Sequence, residues 1–353
     1  MFTLRILIAV MLAFVAAFVL TPFVRKLAIY IGAVDKPDAR KVHARIMPRA
    51  GGLAIFAGFL IAMLISQPLD KKVIGFIVGS TVMIIVGVID DLYSISPKVK
   101  LMGQIFAALI LAYVGIKIDA ISNPFSAPIP LGAWSFPVTV FWVIGITNAV
   151  NLIDGLDGLA AGISAISALT MAVLALTQGQ LFVVYAALFL VAAIFGFLRY
   201  NFHPAQIFMG DSGSLFLGYV LAALSVMSVS KAATIITLII PIIILGVPIL
   251  DTGFAILRRF FNKKPIFQPD KEHLHHRLLA LGFSHRDTVL LIYGITLILS
   301  TSALSLTMLT TSQSMMILAA ISVVVVIAAD YIGVLGRPKP SRQTKSSPDL
   351  QKG

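Results

Sequence analysis

The chain has 353 residues, of which 59% are hydrophobic and only 12% charged, whereas a soluble globular domain is roughly a quarter charged. This composition excludes a soluble protein, and the absence of cysteine excludes disulfides and thiolate chemistry. A formal net charge of +12 would suit a nucleic-acid partner, but none is expected because the positions of Lys and Arg explain the charge better.

Apolar runs long enough to cross a bilayer recur along the whole chain. Because lipid forces backbone polar groups to pair within helices, we predict an all-α polytopic membrane protein with about eleven transmembrane helices. The first run follows Arg5 and lacks a small-residue cleavage site, so it is predicted to be a retained helix. The predicted spans are residues 4–24, 50–66, 73–89, 101–118, 136–153, 158–177, 181–199, 213–229, 233–253, 288–310 and 314–334.

The basic residues predict how these spans are oriented in the membrane. With the N-terminus outside and the C-terminus in the cytoplasm, most of the 27 Lys and Arg residues fall on the cytoplasmic side, as the positive-inside rule requires. The exceptions are Arg5, Lys71, Lys72, Lys117 and Lys231.

The chain is predicted to form one membrane domain, residues 1–335, with a short tail after it. The tail, residues 336–353, is rich in Lys, Arg, Ser and Pro and is expected to be disordered. The outside segment 119–135 contains several Pro, Gly, Ser and Asn residues and is predicted to be a turn-rich loop or a short hairpin.

Acidic residues are scarce, with 15 in all, and many lie in short clusters near span ends on the predicted cytoplasmic side. Charge near lipid is costly and usually functional. Carboxylates gathered at one surface among basic residues indicate a Mg²⁺-dependent site for phosphorylated substrates. The clusters are Asp90 with Asp91, Asp154 with Asp157, Asp211, and Asp270 with Glu272.

Asp90 and Asp91 close the third span. Adjacent carboxylates repel, so the pKa of one should rise unless a cation such as Mg²⁺ neutralises the pair. The alternative is a polar helix end in water, but an acidic pair at a helix C-terminus opposes the helix dipole. This conflict favours a functional role.

Asn151, Asp154 and Asp157 are spaced by three residues, with Gly155 and Gly158 beside them. At about 100° per residue, the three polar side chains are predicted to share one face of a helix. The alternative is a turn between two spans in which Asp157 caps the next helix.

Asp211 is followed by small residues just before the eighth span. An Asp at a helix start can hold a hard cation while backbone N–H groups meet phosphate oxygens; the alternative is a simple N-cap. Upstream, Asn201 supplies a hydrogen-bond donor and Phe208 an aromatic face.

Three histidines, His273, His275 and His276, lie in a long basic loop. Zinc is disfavoured because its ligands usually come from well-separated segments or Cys/His pairs, so a phosphate- or sugar-binding loop is predicted; the alternative is a solvated basic loop. In the first cytoplasmic loop, His43 and Arg45 belong to a positive-inside cluster that can also contact anionic lipid or substrate. Asp251, near the end of the ninth span, is a weaker candidate.

Taken in order, these motifs resemble the polyprenyl-phosphate N-acetylhexosamine-1-phosphate transferases, and the likeness covers nearly the whole chain. Such membrane enzymes transfer a sugar 1-phosphate from a UDP-sugar to undecaprenyl phosphate and release UMP. The matching motifs are residues 48–52, Asp90-Asp91, Asn151-x-x-Asp154-Gly-x-Asp157-Gly, residues 201–213, and His273-Leu-His275-His276.

The resemblance implies a role for each matched position. Asp211 matches the acidic Mg²⁺ ligand, and Asp90 with Asp91 match the pair assigned to the metal-diphosphate or the lipid phosphate. Phe208 matches a position near the nucleotide, where it would stack on uracil. The implied catalytic set is Asp90, Asp91, Asp211, His273, His275 and His276; the substrate-binding set is Asn151, Asp154, Asp157, Asn201, Phe208, His43 and Arg45; the metal ligands are Asp211, Asp90 and Asp91.

The resemblance also implies a cofactor, partners and a location. The cofactor is Mg²⁺, with Mn²⁺ as a substitute, and the partners are a UDP-sugar, undecaprenyl phosphate and the lipid bilayer. A homodimer is common in that family. The implied location is the bacterial plasma membrane, with the active site at its cytoplasmic face.

Within the family, the branch follows from two motifs. Muramoyl-pentapeptide transferases carry a Gly-Thr-Pro-Thr-Met-Gly-Gly type of sequence before the second span and a three-His run. This chain has Arg49 and Ala50 before Gly51 and Gly52, and a His-Leu-His-His pattern. It therefore looks more like the N-acetylglucosamine branch, above all the initiators of wall teichoic acid synthesis. The alternatives are the muramoyl-pentapeptide reaction, a multi-span transporter and a membrane scaffold.

Overall fold

A computed structural model describes residues 2–35, 46–121, 128–229, 239–263 and 272–331. Within these ranges nearly all residues are helical, so the all-α prediction is confirmed. The helices are α1 (Phe2–Ile31), α2 (Gly52–Ser66), α3 (Lys71–Tyr93), α4 (Pro97–Tyr113), α5 (Ser135–Leu152), α6 (Leu159–Thr177), α7 (Leu181–Asn201), α8 (Gly210–Val229), α9 (Ile239–Ile244), α10 (Gly246–Phe261), α11 (Leu274–Ala280), α12 (His285–Leu306) and α13 (Thr311–Tyr331).

Two antiparallel hairpins of two-residue strands complete the described secondary structure, with a short 3₁₀ turn at Gly132–Trp134. The second hairpin lies in the segment predicted to be a turn-rich loop or hairpin, and it confirms that prediction. The strands are β1 (Val34–Asp35) with β2 (Met47–Pro48), and β3 (Ala120–Ile121) with β4 (Ile129–Pro130).

Seven of the described helices are long and apolar enough to cross a membrane, and Gly52–Ser66 and Ser312–Ile327 are shorter apolar helices. These helices make the chain a multi-pass membrane protein. Ten of the predicted spans each correspond to one helix, while the total of about eleven crossings stays a prediction, as does the side on which the N-terminus lies.

The ninth predicted span is wrong as a continuous helix. Its described part consists of α9 and α10, which are separated at Leu245. Pro248 has no N–H with which to bond the Ile244 carbonyl, so the helical hydrogen-bond series is interrupted there. The Ser167 hydroxyl in α6 donates to that carbonyl instead (3.1 Å), which satisfies the freed acceptor. Residues 233–238 of this span lie outside the described residues.

Helix caps explain the tight turn between α3 and α4. Ser94, just after α3, adopts a left-handed conformation with φ of 51°, and its N–H bonds the Asp90 carbonyl. Ser96 then caps α4, whose first residue is Pro97, a position where the missing N–H of proline costs nothing. This turn brings the last turns of α3 beside the first turn of α4.

Consecutive long helices run in opposite directions, as the alternation of predicted loops requires. At one end of the bundle, Asp91 near the end of α3 meets the start of α8, and Asn201 at the end of α7 bonds Gly158 before α6. At the other end, the Arg5 side chain near the start of α1 donates to the Ile65 carbonyl near the end of α2 (2.7 Å). The polar clusters therefore gather at a single end.

The start of α8 packs closely against both α2 and α3 because glycines in α2 and α3 allow the backbones to approach each other. A Cβ added at Gly52 in α2 would lie 2.1 Å from Gly213 N, and one at Gly87 in α3 would lie 2.3 Å from Ser212 Cα. Side chains at either position would push the helices apart. This close packing fixes Asp211 at the junction of three helices.

Candidate active site

Asp91 ties the end of α3 to the start of α8. Its buried carboxylate accepts the backbone N–H groups of Asp211 (2.9 Å) and Ser212 (3.1 Å), one with each oxygen. A carboxylate that accepts N–H groups at a helix start interacts favourably with the helix dipole. Asp91 therefore fixes the position of Asp211 relative to α3.

The Asp211 carboxylate lies where α3, α5 and α8 meet. Asn151, at the end of α5, donates from Nδ2 to Asp211 Oδ1 and to Ser214 Oγ. The Asp90 carboxylate lies beside that of Asp211, and both approach the Lys100 ammonium. Two carboxylates this close repel unless a proton or a cation lies between them. The pair therefore suits a cation site.

Two basic side chains balance these carboxylates. Lys100 Nζ lies 2.8 Å from Asp90 Oδ2 and 3.5 Å from Asp211 Oδ1. Arg49 Nη2 lies 3.4 Å from both Asp91 Oδ1 and Asp211 Oδ2. Neither cation stands out in the sequence, because membrane orientation already explains basic residues beside spans. The available signal for Lys100 is its place one tight turn after Asp90.

The predicted helical face for Asn151, Asp154 and Asp157 is wrong. α5 ends at Leu152, and the next residues form turns up to Gly158, whose φ is 77°. The alternative, a turn between two spans, is right. The predicted N-cap residue of that alternative is wrong, however. Gly158 rather than Asp157 occupies the N-cap position of α6, and no side chain caps that helix.

Asp154 lies in this turn close to the acidic cluster, with a half-buried side chain. Burial, together with the negative charges of Asp211 and Asp91, raises the pKa of the Asp154 carboxyl to about 8. The carboxyl is therefore mostly protonated at pH 7, and a cation bound nearby would favour its ionised form.

Asp157 joins the turn before α6 to two other segments. Its Oδ2 accepts the Ala205 N–H (3.1 Å) and bonds His203 Nδ1 (2.8 Å), and its own N–H donates to His285 Nε2 (3.0 Å). Ligand atoms of Asp157, His203 and His285 lie within 4.8 Å of one another. The two imidazoles are stacked at 4.2 Å, however, so their in-plane lone pairs run side by side. This geometry suits a hydrogen-bonded connection better than a metal ion.

Asn201 and Phe208 shape the segment before α8. The Asn201 side-chain amide forms hydrogen bonds with the backbone at both of its polar atoms. The Gly158 N–H donates to Oδ1 (3.1 Å), and Nδ2 donates to the Ile207 carbonyl (3.0 Å). The Phe208 backbone bonds the segment before α2, and its ring is half-buried. Asn201 thus holds the turn before α6 in place, while substrate contact by either residue stays a prediction.

The histidines lie at the start of the short helix α11 rather than in a loop. His273 Nδ1 lies 2.9 Å from Asp251 Oδ2, and the Leu274 N–H donates to Asp251 Oδ1 (2.8 Å). The carboxylate comes from α10, so it anchors α11 to that helix. Asp251 is therefore more deeply connected to the histidine motif than its sequence position indicates.

His275 packs against the turn that follows α5. A Cβ added at Gly155 would lie only 2.3 Å from His275 Nε2, so the imidazole fits there because residue 155 is glycine. Burial lowers the pKa of His275 to about 3, and the imidazole is neutral at pH 7. The His276 ring lies 4.2 Å from that of His275. The histidine motif therefore borders the turn that carries Asp154.

The structure brings most of the predicted site residues to one end of the bundle. Asn151 and the carboxylates of Asp90, Asp91 and Asp211 are in direct contact, with Asp154 nearby. Asp157 and Asn201 support the turn that carries Asp154. The positions of His43, Arg45 and Asp270, and of the tail 336–353, lie outside the described residues.

Comparison with known proteins identifies the family of the chain. Residues 73–229 match glycosyl transferase family 4. The chain is 47% identical to the probable undecaprenyl-phosphate N-acetylglucosaminyl 1-phosphate transferase of Bacillus subtilis (strain 168), over 94% of this chain and 93% of that protein. It is 36% identical to the decaprenyl-phosphate N-acetylglucosaminephosphotransferase of Mycolicibacterium smegmatis, over 90% and 86% of the two chains.

A more distant relative gives the same type of name. The chain is 29% identical to the undecaprenyl-phosphate alpha-N-acetylglucosaminyl 1-phosphate transferase of Yersinia pestis, over 76% of this chain and 75% of that protein. The identity and coverage of the Bacillus relative settle the classification. The chain belongs to glycosyl transferase family 4.

Proposed function

We propose that this member of glycosyl transferase family 4 transfers N-acetylglucosamine 1-phosphate from UDP-N-acetylglucosamine to undecaprenyl phosphate and releases UMP. The main support for this proposal is that Asp90, Asp211 and Asn151 meet Lys100 at one end of a bundle of apolar helices. The names of the relatives support this acceptor and sugar over the muramoyl-pentapeptide and transporter alternatives. The product would begin a cell-wall glycan such as teichoic acid.

The donor set fits a hard divalent cation. Mg²⁺ prefers carboxylate and amide oxygens, and it would take the place of Lys100, whose ammonium approaches both the Asp90 and the Asp211 carboxylates. Both Asp91 oxygens already accept backbone N–H groups. We therefore assign Asp211 and Asp90 as the ligands of Mg²⁺ or a substituting Mn²⁺, and Asp91 as their support. The bound ion would neutralise charge on the diphosphate.

The two basic side chains have a second task in this proposal. Lys100 and Arg49 are held by the carboxylates at 2.8 to 3.5 Å. When a divalent cation shares those carboxylates, the ammonium and guanidinium groups become available to phosphate oxygens, with which they form strong charge-assisted hydrogen bonds. They would then orient the diphosphate for attack.

The reaction is a single displacement in this proposal. An oxygen of the lipid phosphate attacks the β-phosphorus of the donor, and the bond from that phosphorus to the UMP oxygen breaks. A phosphate monoester has a second pKa of about 6 and is mostly dianionic at pH 7, so no general base is required. Asp90 and Asp211 then serve to position the reactants.

A covalent intermediate on an aspartate is the rival mechanism. It predicts that enzyme stripped of lipid exchanges labelled UMP into UDP-N-acetylglucosamine. Direct attack predicts no exchange until undecaprenyl phosphate is supplied. Robust exchange without acceptor would sink the single displacement and leave the overall reaction intact.

We further propose that the site faces the cytoplasm at the bacterial plasma membrane. The concentration of Lys and Arg on that side of the predicted topology supports this orientation. UDP-sugars are polar and water-soluble, so a site at the aqueous surface of the bundle suits both donor and lipid head group. A homodimer stays part of the proposal on family resemblance alone.

The test is UMP release by the purified protein with undecaprenyl phosphate and Mg²⁺. UDP-N-acetylglucosamine and UDP-N-acetylmuramoyl-pentapeptide are offered separately, and the Asp211→Asn variant controls for contaminating enzymes. Lipid-dependent release from the first donor alone supports the proposal. Release from the second donor alone would replace the substrate, and release from neither by folded protein would revive the transporter.

A further inference from the structure

Asp251 is a buried carboxylate that the proposed reaction leaves without a task. It lies in α10, beyond the interruption after α9, and is only 5% exposed. Both of its oxygens bond the start of α11, one to His273 Nδ1 (2.9 Å) and one to the Leu274 N–H (2.8 Å). Burying a charge is costly unless it is paired, so this pairing calls for an explanation.

The pairing determines where the His273 proton lies. An ionised carboxylate only accepts hydrogen bonds, so Nδ1 of His273 must carry a hydrogen. The other ring nitrogen, Nε2, is then the one left to meet a ligand. A protonated Nε2 would donate a hydrogen bond to an anion.

The surroundings connect His273 to the acidic cluster. The His273 and His275 rings are parallel, with centroids 6.0 Å apart, and His275 packs on Gly155 next to Asp154. Burial makes His275 a neutral packing group, with its pKa lowered to about 3. Of these two histidines, His273 is the one whose ring bonds a carboxylate.

Other charged groups near α11 have partners of their own. Glu272 pairs with Arg258 of α10 (3.0 Å) and with Arg277 of α11 (2.7 Å). His276 adjoins His275, and His285 at the start of α12 bonds Asp157. Asp251 is therefore the carboxylate in direct contact with His273 among the described residues.

We propose that Asp251 is a positioning residue that holds His273 with its proton on Nδ1 and its Nε2 directed to the departing nucleotide phosphate. When Nε2 is protonated as well, His273 donates a hydrogen bond to the oxygen that gains charge when UMP leaves. This inference rests on the proposed function, in which that phosphate is the leaving group. Asp251 itself touches no substrate.

The test is a double-mutant cycle in the UMP-release assay. Asp251→Asn keeps the size but removes the charge, and it should lower kcat about tenfold to a hundredfold with little change in KM. If Asp251 acts through His273, the double variant with His273→Gln should be no slower than His273→Gln alone. Multiplying losses would overturn the proposal, as would wild-type turnover by Asp251→Asn. Asp119→Asn, at an exposed carboxylate, is the matched control.

The pH profile separates positioning from mere folding. Loss of the carboxylate removes the partner that holds the His273 ring, so the alkaline limb of the kcat profile should shift in Asp251→Asn. Asp251→Glu keeps the charge and should therefore have an alkaline limb close to that of the wild type. This variant replaces Asp251→Asn in the test if Asp251→Asn does not fold. An unmoved limb in folded Asp251→Asn would contradict the proposal.

A readout without turnover keeps the inference distinct from the proposed function. The chain has six histidines, so ¹⁵N-histidine NMR of the whole protein in detergent is tractable, and His273→Gln identifies the signal. Wild-type protein should show His273 protonated at Nδ1, and Asp251→Asn should lose that preference. An Nε2–H neutral tautomer in wild type would refute the positioning role even if UMP release is normal. If wild-type protein shows the expected tautomer but releases no UMP, only the proposed function is contradicted.

Discussion

The adjacent carboxylates Asp90 and Asp91 should respond differently to the same substitution. Both oxygens of Asp91 accept N–H groups at the start of α8. Asn at position 91 has one acceptor oxygen, so its NH₂ group would face a backbone N–H that then lacks a partner. An unsatisfied buried polar group costs about 1–3 kcal/mol. Asp91→Asn should therefore destabilise the protein by about that amount.

Asp90→Asn should act on the cation instead. Within the described contacts, the Asp90 carboxylate bonds the Lys100 ammonium (2.8 Å) and adjoins Asp211. Its loss removes one proposed ligand, and leaves the hydrogen bonds at the start of α8 intact. We expect near-normal stability and about a tenfold or greater rise in the Mg²⁺ concentration for half-maximal activity.

The assay pairs thermal unfolding in detergent with a Mg²⁺ titration of UMP release. We expect a lower unfolding temperature for Asp91→Asn, which excess Mg²⁺ does not restore, and a higher Mg²⁺ requirement for Asp90→Asn. Wild-type stability in Asp91→Asn combined with a raised Mg²⁺ requirement would show instead that Asp91 is a ligand.

Three further predictions concern the same end of the bundle. Asp211→Asn should lose at least about a hundredfold in turnover through weaker Mg²⁺ binding, measured by Mg²⁺ titration; near wild-type activity at ordinary Mg²⁺ would reject its role. Gly87→Ala should destabilise the protein by about 1–3 kcal/mol, because the new Cβ would meet the α8 backbone at 2.3 Å, whereas Gly294→Ala, with open space around it, should be neutral in thermal unfolding. The Asp154 pKa of about 8 means that a proton is displaced when Mg²⁺ binds, so Mg²⁺ affinity should rise from pH 6 to about 8 and then level off. Calorimetry would contradict this if Asp154→Asn kept the same pH dependence.

Hydropathy locates most of the helices because long apolar runs have few other stable forms in a membrane. It misses the interruption at Leu245, because hydropathy does not register that Pro248 lacks an N–H, and the Ser167 contact that satisfies the Ile244 carbonyl comes from far away in the sequence. The helical-face prediction for residues 151–157 fails for a local reason. The three-residue spacing fits a helix, but the chain leaves the helix at Leu152 and turns before Gly158.

The acidic members of the site are visible in the sequence because charge is rare in an apolar chain. The residues that hold these carboxylates and the histidine motif in place are not visible in the same way. Arg49 and Lys100 have an adequate explanation in membrane orientation, and Asp251 meets its histidine only after the chain returns from α10 to α11. Sequence order also gives no means of distinguishing Asp90 from Asp91, whose neighbours in space differ.

Sugar 1-phosphate transfer is tested most sharply by following the β-phosphorus of the donor. UDP-N-acetylglucosamine labelled with ³²P at the β-phosphate is incubated with the purified protein, undecaprenyl phosphate and Mg²⁺, and the lipid and aqueous products are separated. We expect the label to enter the lipid together with N-acetylglucosamine, while the released UMP is unlabelled. Label that stays in the aqueous phase while sugar enters the lipid would contradict sugar 1-phosphate transfer.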